Sequence, residues 1–179
     1  MGFASEWLDS ARELIESPSE FYQNEERRDG FGYPLKFAAF SLLITGIISA
    51  VRIGVYGTPA EVTVGAPIAA GISIVSTIIG GLIGLIIGAA FVHLFVALLG
   101  GENGYSHTLA SGAYATAVSA VASVLGLIPL LGGFITFVFG IYGIYVQAKG
   151  LQAFQELSFG RSLASLLLPA IILGIIVIG

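Results

Sequence analysis

The chain has 179 residues, of which 56% are hydrophobic and 10% are charged, and its formal net charge is −4. Its mean hydropathy of +0.95 is typical of multispan membrane proteins, because a soluble domain carries about a quarter charged residues. No cysteine is present, which excludes disulfides, thiolate metal sites and cysteine nucleophiles.

The first predicted element is an amphipathic helix over residues 5–16. Its apolar residues, which include Trp7 and Leu14, recur at helical spacing, and the other face is mostly acidic. Ser5 is the expected N-cap. We expect the helix to pack on the body of the protein, with Trp7 and Leu14 as anchors for a partner protein as the alternative. Binding to the membrane surface fits less well, because such helices usually carry Lys and Arg.

A polar, turn-rich linker over residues 17–33 is expected to be solvated and to lead into the first membrane span at 35–55. The chain therefore divides into 1–34, a cytoplasmic amphipathic helix with its linker, and 35–179, a transmembrane domain. Arg52 lies near the far end of the first span, where its guanidinium group can reach water or lipid phosphate.

The second span, residues 68–99, belongs to the longest apolar run in the chain. At about 1.5 Å per residue it exceeds the roughly 30 Å of a bilayer's hydrocarbon core. Gly80, Gly84 and Gly88 recur every four residues, so they share one helix face and let another helix approach closely. We expect this face to pack within the monomer, with a homodimer seam as the alternative.

Three further spans are expected at 110–128, 134–148 and 163–179, and a polar loop at 100–108 precedes the first of them. Five spans place the two termini on opposite sides of the membrane. All Lys and Arg residues except Arg52 fall on the N-terminal side, so the positive-inside rule predicts a cytoplasmic N-terminus and an extracytoplasmic C-terminus. The predicted fold is an all-α, polytopic protein of the cell membrane with five transmembrane helices.

Few side chains in the spans offer chemistry. His93 is expected near the cytoplasmic interface, where a structural hydrogen bond to a loop backbone group, Tyr105 or Tyr114 is favoured over proton relay or substrate contact. A metal site of His93, His107 and Glu102 matches no recognised ligand spacing. The sequence has no nucleophile elbow, phosphate loop or basic patch, so we expect no catalytic residue, metal, cofactor or nucleic-acid partner.

Several short motifs follow one another in a defined order. Pro18, Phe21 and Tyr22 precede the first span. The later positions are His93, Gly100, Gly101, Tyr105, Thr108, Tyr114 and Arg161. In this order they resemble the Yip domain family, the Ypt/Rab-interacting membrane proteins, and the resemblance implies that the later positions are candidate functional residues. Five spans and a cytosolic N-terminus also match the family.

The resemblance also implies a type of function. Eukaryotic members of the family are multispan proteins of the early secretory pathway and Golgi that associate with Rab-type GTPases and with each other. The short N-terminal region and the low lysine content, Lys36 and Lys149 against five arginines, resemble prokaryotic, including archaeal, members.

Two functions are therefore expected. The first is a non-enzymatic membrane-organising or trafficking-type scaffold or adaptor in the lipid bilayer, which works by self-association or by binding a cytosolic or membrane protein. The alternative is a small transporter, channel or lipid-handling protein whose pathway passes His93 and the 100–108 loop. An intramembrane enzyme ranks last, since only His93, Tyr105 and Tyr114 could supply a catalytic group.

Overall fold

The computed structural model describes residues 2–26, 29–57 and 64–178, and these residues form seven helices and no strand. The helices are α1 (Phe3–Glu16), α2 (Pro18–Asn24), α3 (Gly32–Tyr56), α4 (Ala66–Leu98), α5 (Tyr105–Leu125), α6 (Gly132–Phe154) and α7 (Phe159–Ile178). The all-α prediction is confirmed for this part of the chain.

Helices α3 to α7 alternate in direction, which gives the bundle two distinct ends. The capped end carries α1, α2 and the connections at 99–104 and 155–158. The open end carries the turn at 126–131, the end of α3 and the start of α4.

Helix α5 lies at the centre of the bundle and packs against α3, α4 and α6. Its alanines at 110, 113, 117 and 120 are fully buried. Because an alanine side chain is short, neighbouring helices approach closely and gain dispersion contacts along their length. The small-residue composition of the predicted third span therefore produces the most buried helix of the bundle.

Helix α1 is the predicted amphipathic helix, and it lies against the bundle. Trp7 and Leu14 are 4% and 0% exposed, and the indole nitrogen of Trp7 donates a hydrogen bond of 2.9 Å to the Ser41 hydroxyl. In this structure neither anchor is therefore presented to a partner protein. The predicted N-cap at Ser5 is wrong: Gly2 is the N-cap, and the Ser5 hydroxyl donates to its carbonyl oxygen over 2.7 Å.

The linker predicted to be solvated contains α2. Its side chains Phe21 and Tyr22 are buried in the aromatic core, and α2 packs against α6. Pro18 occupies the first turn of α2, where its missing N–H costs no helical hydrogen bond. The polar composition of the linker gave no indication that these two aromatic residues are buried.

Four of the described helices, α3 to α6, are long and apolar enough to cross a membrane, and 159–172 is a shorter apolar stretch. The second span is one continuous helix, unbroken at its glycines. Helix α5 starts at Tyr105 rather than at the predicted residue 110, so the preceding loop is shorter than expected. Helix α6 continues to Phe154, beyond the predicted end at 148, because its polar last turns pack at the capped end.

The predicted glycine face of α4 does not pack within the monomer. A Cβ atom added at Gly80, Gly84 or Gly88 would have no heavy atom of the described residues within 4 Å. Gly81 packs instead, because it lies about 100° further round the helix and faces Leu42 of α3, with Leu42 Cδ1 2.8 Å from the added Cβ. The expectation of intramolecular packing is therefore wrong for these three glycines, which face outward.

Candidate functional site

The connection between α4 and α5 begins with a turn that requires glycine at two successive positions. Gly100 has a φ of +89°, a conformation that side-chain-bearing residues rarely adopt. At Gly101, a Cβ atom would clash with Val96 and lie 3.1 Å from the side-chain oxygen of Gln155. The Gly101 N–H donates a hydrogen bond of 2.8 Å to the Val96 carbonyl. This bond closes a tight turn that caps the C-terminal end of α4.

Gln155, at the end of α6, holds the rest of this connection. The residue is 0% exposed, and its side-chain oxygen accepts the N–H of Asn103 over 3.1 Å. Its side-chain nitrogen donates to the Gly104 carbonyl at 3.1 Å and to the Thr108 hydroxyl at 2.9 Å. The amide therefore joins the 99–104 loop and the first turn of α5 to the end of α6.

Asn103 strengthens the same junction from the loop side. Its side-chain amide donates to the Phe154 carbonyl over 2.8 Å, which satisfies a carbonyl in the last turn of α6. The backbone N–H of Glu102 donates to the Gln155 carbonyl at 3.4 Å. Loop and helix end thus exchange hydrogen bonds in both directions.

His93 joins this network through Thr108. Its Nδ1 lies 2.9 Å from the fully buried Thr108 hydroxyl oxygen, so the partner is a side chain of α5 and not the predicted backbone group, Tyr105 or Tyr114. Because the Thr108 oxygen accepts an N–H from Gln155, its own proton can be donated to His93. The Tyr105 ring packs edge-on against the His93 ring at 5.8 Å, and its hydroxyl donates to the Ile86 carbonyl over 2.7 Å.

Arg161 lies beside the glycine turn. Its Nη1 is 3.6 Å from the position of a Cβ on Gly100, and its side chain is exposed. The structure thus brings six of the seven predicted positions together around the 99–104 connection: His93, Gly100, Gly101, Tyr105, Thr108 and Arg161.

The seventh position, Tyr114, belongs to a separate aromatic core. It is fully buried on α5, with ring centroids 5.0 Å from Phe37 and 5.2 Å from Phe21. Tyr22 also lies in this core and donates to the Ser111 carbonyl over 3.2 Å. Burial raises the pKa of the Tyr22 hydroxyl above its ordinary value.

A family model for the Yip1 domain matches residues 12–179. The chain belongs to the Yip1 domain family. With four apolar helices of spanning length, this Yip1-domain protein is a multi-pass membrane protein. Comparison with curated proteins and with solved structures finds no match.

In this Yip1 domain, His93, Asn103, Thr108 and Gln155 form a hydrogen-bonded clamp. The clamp joins α4, the 99–104 loop and the first turn of α5 to the end of α6. The three hydrogen bonds of the Gln155 amide all end within the chain. His107, the second histidine, lies apart from this network and pairs with Asp29, with Nε2 3.0 Å from the carboxylate oxygen. Among the described residues, no three His, Asp or Glu side chains come close enough to hold a metal ion.

Two members of the clamp, Asn103 and Gln155, were missed by sequence reasoning. Gln155 follows Gln147 and Gln152 in a polar run, and nothing in the spacing distinguishes it from them. The feature that could identify Gln155 is a polar side chain at the end of a helix, opposite a double-glycine turn. It becomes informative only once α6 is known to end beside that turn.

Proposed function

We propose that this Yip1-domain protein is a non-enzymatic membrane-organising scaffold that spans the membrane five times and associates with a second copy through the outer face of α4. The fifth span would be α7, whose 20 residues extend about 30 Å, the thickness of the hydrocarbon core. Lys36, Lys149 and Arg161 lie at the capped end and Arg52 at the open end. The positive-inside rule therefore supports a cytoplasmic capped end in the cell membrane.

The observation that carries the proposal is the outward direction of Gly80, Gly84 and Gly88. Glycine destabilises a helix interior relative to alanine, and no contact within the described chain compensates for it at these positions. A row of glycines lets a second helix approach closely enough to gain backbone dispersion contacts. The exposed isoleucines beside them, Ile83 and Ile87, would pack on either side of the crossing point.

The state of His93 supports the scaffold over a transport or lipid-handling pathway. Its Nδ1 is paired with the Thr108 hydroxyl, which in turn is held by Gln155. A pathway through this point would have to break a buried network of side-chain hydrogen bonds.

Cysteine crosslinking tests the association directly, because the natural chain contains no cysteine. Ile87→Cys lies on the glycine face, and Ile141→Cys is its matched control on α6, since the two isoleucines are 53% and 56% exposed. In lipid vesicles we expect oxidation to produce a covalent dimer from Ile87→Cys and little from Ile141→Cys. Equal crosslinking of the two variants would contradict the proposed seam.

A second substitution separates specific packing from random collision. Gly84→Ile added to Ile87→Cys should lower the dimer fraction, because the new side chain holds the partner helix away. Gly140→Ile is the control, since Gly140 lies on α6 and an added Cβ there also has no described heavy atom within 4 Å. A dimer fraction that survives Gly84→Ile, or that falls equally with Gly140→Ile, would count against the proposal.

The orientation has its own test. Asp9→Cys lies on the exposed face of α1, and Leu130→Cys lies in the open-end turn. An impermeant maleimide added to intact cells should label Leu130→Cys and spare Asp9→Cys. The opposite labelling pattern would contradict a cytoplasmic capped end.

A further inference from the structure

Among residues 2–26, 29–57 and 64–178, Arg52 is the one charged side chain at the open end. The carboxylates of these residues lie on α1, on α2 or in the connections at the capped end. The Arg52 side chain is exposed, and no described residue forms an ion pair, hydrogen bond or ring contact with it. Its charge is therefore uncompensated by this part of the chain.

Two cavities flank the Arg52 side chain. Arg52 and Tyr56 lie one helical turn apart on α3, and both line two cavities. One cavity, of about 410 Å³, lies between α3 and α4 and is also lined by Ser49 and Ser73. The other, of about 390 Å³, lies between α3 and the 126–131 turn.

The depth of Arg52 in the membrane limits what can neutralise it. It lies four residues before the end of α3, which is about 6 Å along the helix axis. At this depth a guanidinium group sits at the boundary between hydrocarbon and headgroups, where arginine side chains turn toward water or anions. Tyrosine is enriched at the same level because its ring is amphipathic.

We propose that Arg52, with Tyr56 and the hydroxyls of Ser49 and Ser73, forms a binding site for the phosphate group of a membrane phospholipid at the open end. A guanidinium group matches two phosphate oxygens with two parallel N–H donors, and the hydroxyls can donate to the remaining oxygens. Ile72, Val75 and Ile79 are exposed on α4 from the level of Ser73 toward the centre of the membrane, and they offer an apolar surface to the acyl chains. That surface favours a lipid over free phosphate as the source of the anion.

Native mass spectrometry of the full-length protein in detergent tests the site with three probes: dioleoyl phosphatidylglycerol, dioleoylglycerol and inorganic phosphate. We expect tight binding of the phospholipid only. Arg52→Ala should weaken this binding by about fivefold or more, because a charge-assisted bidentate contact is lost. Arg52→Lys, which keeps the charge but not the fork of donors, should fall between wild type and Arg52→Ala.

Two control variants complete the experiment. Arg161→Ala removes an exposed arginine at the capped end and should leave the tight phospholipid site unchanged. Glu61→Gln removes the only carboxylate between Arg52 and Glu102 in the sequence, a residue outside the described ranges, and should also leave binding unchanged. Thermal unfolding of each variant verifies that it is folded. If Arg52→Ala does not fold, the phospholipid affinity of Arg52→Lys relative to wild type tests the proposal.

Several results would overturn the proposal. Equal binding of dioleoylglycerol would show that phosphate is not recognised, and an equal loss with Arg161→Ala would show that binding is not localised at Arg52. Arg52-dependent binding of inorganic phosphate that displaces the lipid would make free phosphate the ligand. Phospholipid binding that emerges only in Glu61→Gln would identify Glu61 as the partner of Arg52.

Discussion

The two ends of the bundle are built from different interactions. At the capped end, large aromatic side chains are buried and the 99–104 loop is fixed by side-chain hydrogen bonds to Gln155. At the open end, the turn between α5 and α6 exposes Leu130 fully and leaves Phe134 68% exposed. The comparison indicates that the capped end adds aromatic packing and side-chain hydrogen bonds to the contacts that run along α5, whereas the open-end turn is exposed to its surroundings.

The largest expected effect comes from the aromatic core at the capped end. Tyr114→Ala should lower the free energy of unfolding by about 3–5 kcal/mol, because it leaves a cavity between Phe21 and Phe37. Phe134→Ala at the open end removes a side chain of similar size that is mostly exposed, so its effect should be far smaller. Unfolding of both variants in mixed micelles gives the comparison, and similar losses would remove the distinction between the ends.

The next effect concerns the polar clamp. Gln155→Leu should cost about 2–4 kcal/mol, because it leaves the Asn103 N–H and the Gly104 carbonyl without their partner. Gln152→Leu is the matched control, since the Gln152 side chain is only partly buried and its amide accepts a single hydrogen bond from Lys149 over 3.3 Å. The same micelle titration measures both, and a Gln155→Leu variant as stable as Gln152→Leu would show that the clamp contributes little.

A smaller effect is expected at the glycine turn. Gly100→Ala should destabilise the protein by about 1–2 kcal/mol, because alanine must then adopt a φ of +89°. Gly54→Ala in α3 has open space around the added methyl group and should be neutral or stabilise the fold by up to about 1 kcal/mol. Unfolding in mixed micelles measures both changes in the free energy of unfolding. Equal destabilisation by Gly100→Ala and Gly54→Ala would contradict the requirement for glycine at position 100.

The smallest effect concerns pH. Burial raises the pKa of Tyr22 above its ordinary value of 10.0, so the unfolded chain loses this proton at lower pH than the folded protein does. The contribution of Tyr22 to stability is thus complete below about pH 10 and is lost as the pH rises further. Tyr22→Phe should make the decline in unfolding temperature above pH 10 less steep than in wild type. An unchanged slope would contradict burial of the neutral hydroxyl.

Sequence patterns predicted the framework at the capped end but not its details. Helical spacing of Trp7 and Leu14 against acidic residues identified α1, because one face of that helix is polar. The family resemblance identified six positions that meet near the turn. Gln155 was not found, because its role depends on the end of α6 lying beside Gly101, a contact between residues far apart in the sequence.

The direction of the α4 glycines shows a second limit. In a soluble helix, polar residues mark the outer face and so reveal which side is buried. Helix α4 is apolar all round, and both lipid and neighbouring helices accept apolar side chains. The period of Gly80, Gly84 and Gly88 therefore predicted a shared face but not whether that face points at α3 or away from the bundle.

Hydrogen exchange at single amides tests the central difference between the ends most directly. In lipid nanodiscs, the Asn103 amide should be strongly protected, because it donates to the buried Gln155 side chain, whereas the Leu130 amide in the exposed open-end turn should exchange rapidly. Gln155→Leu should abolish the protection of Asn103 and leave Leu130 unchanged. Equal exchange at Asn103 and Leu130 in the wild-type protein would contradict the conclusion that the capped end is held more firmly than the open end.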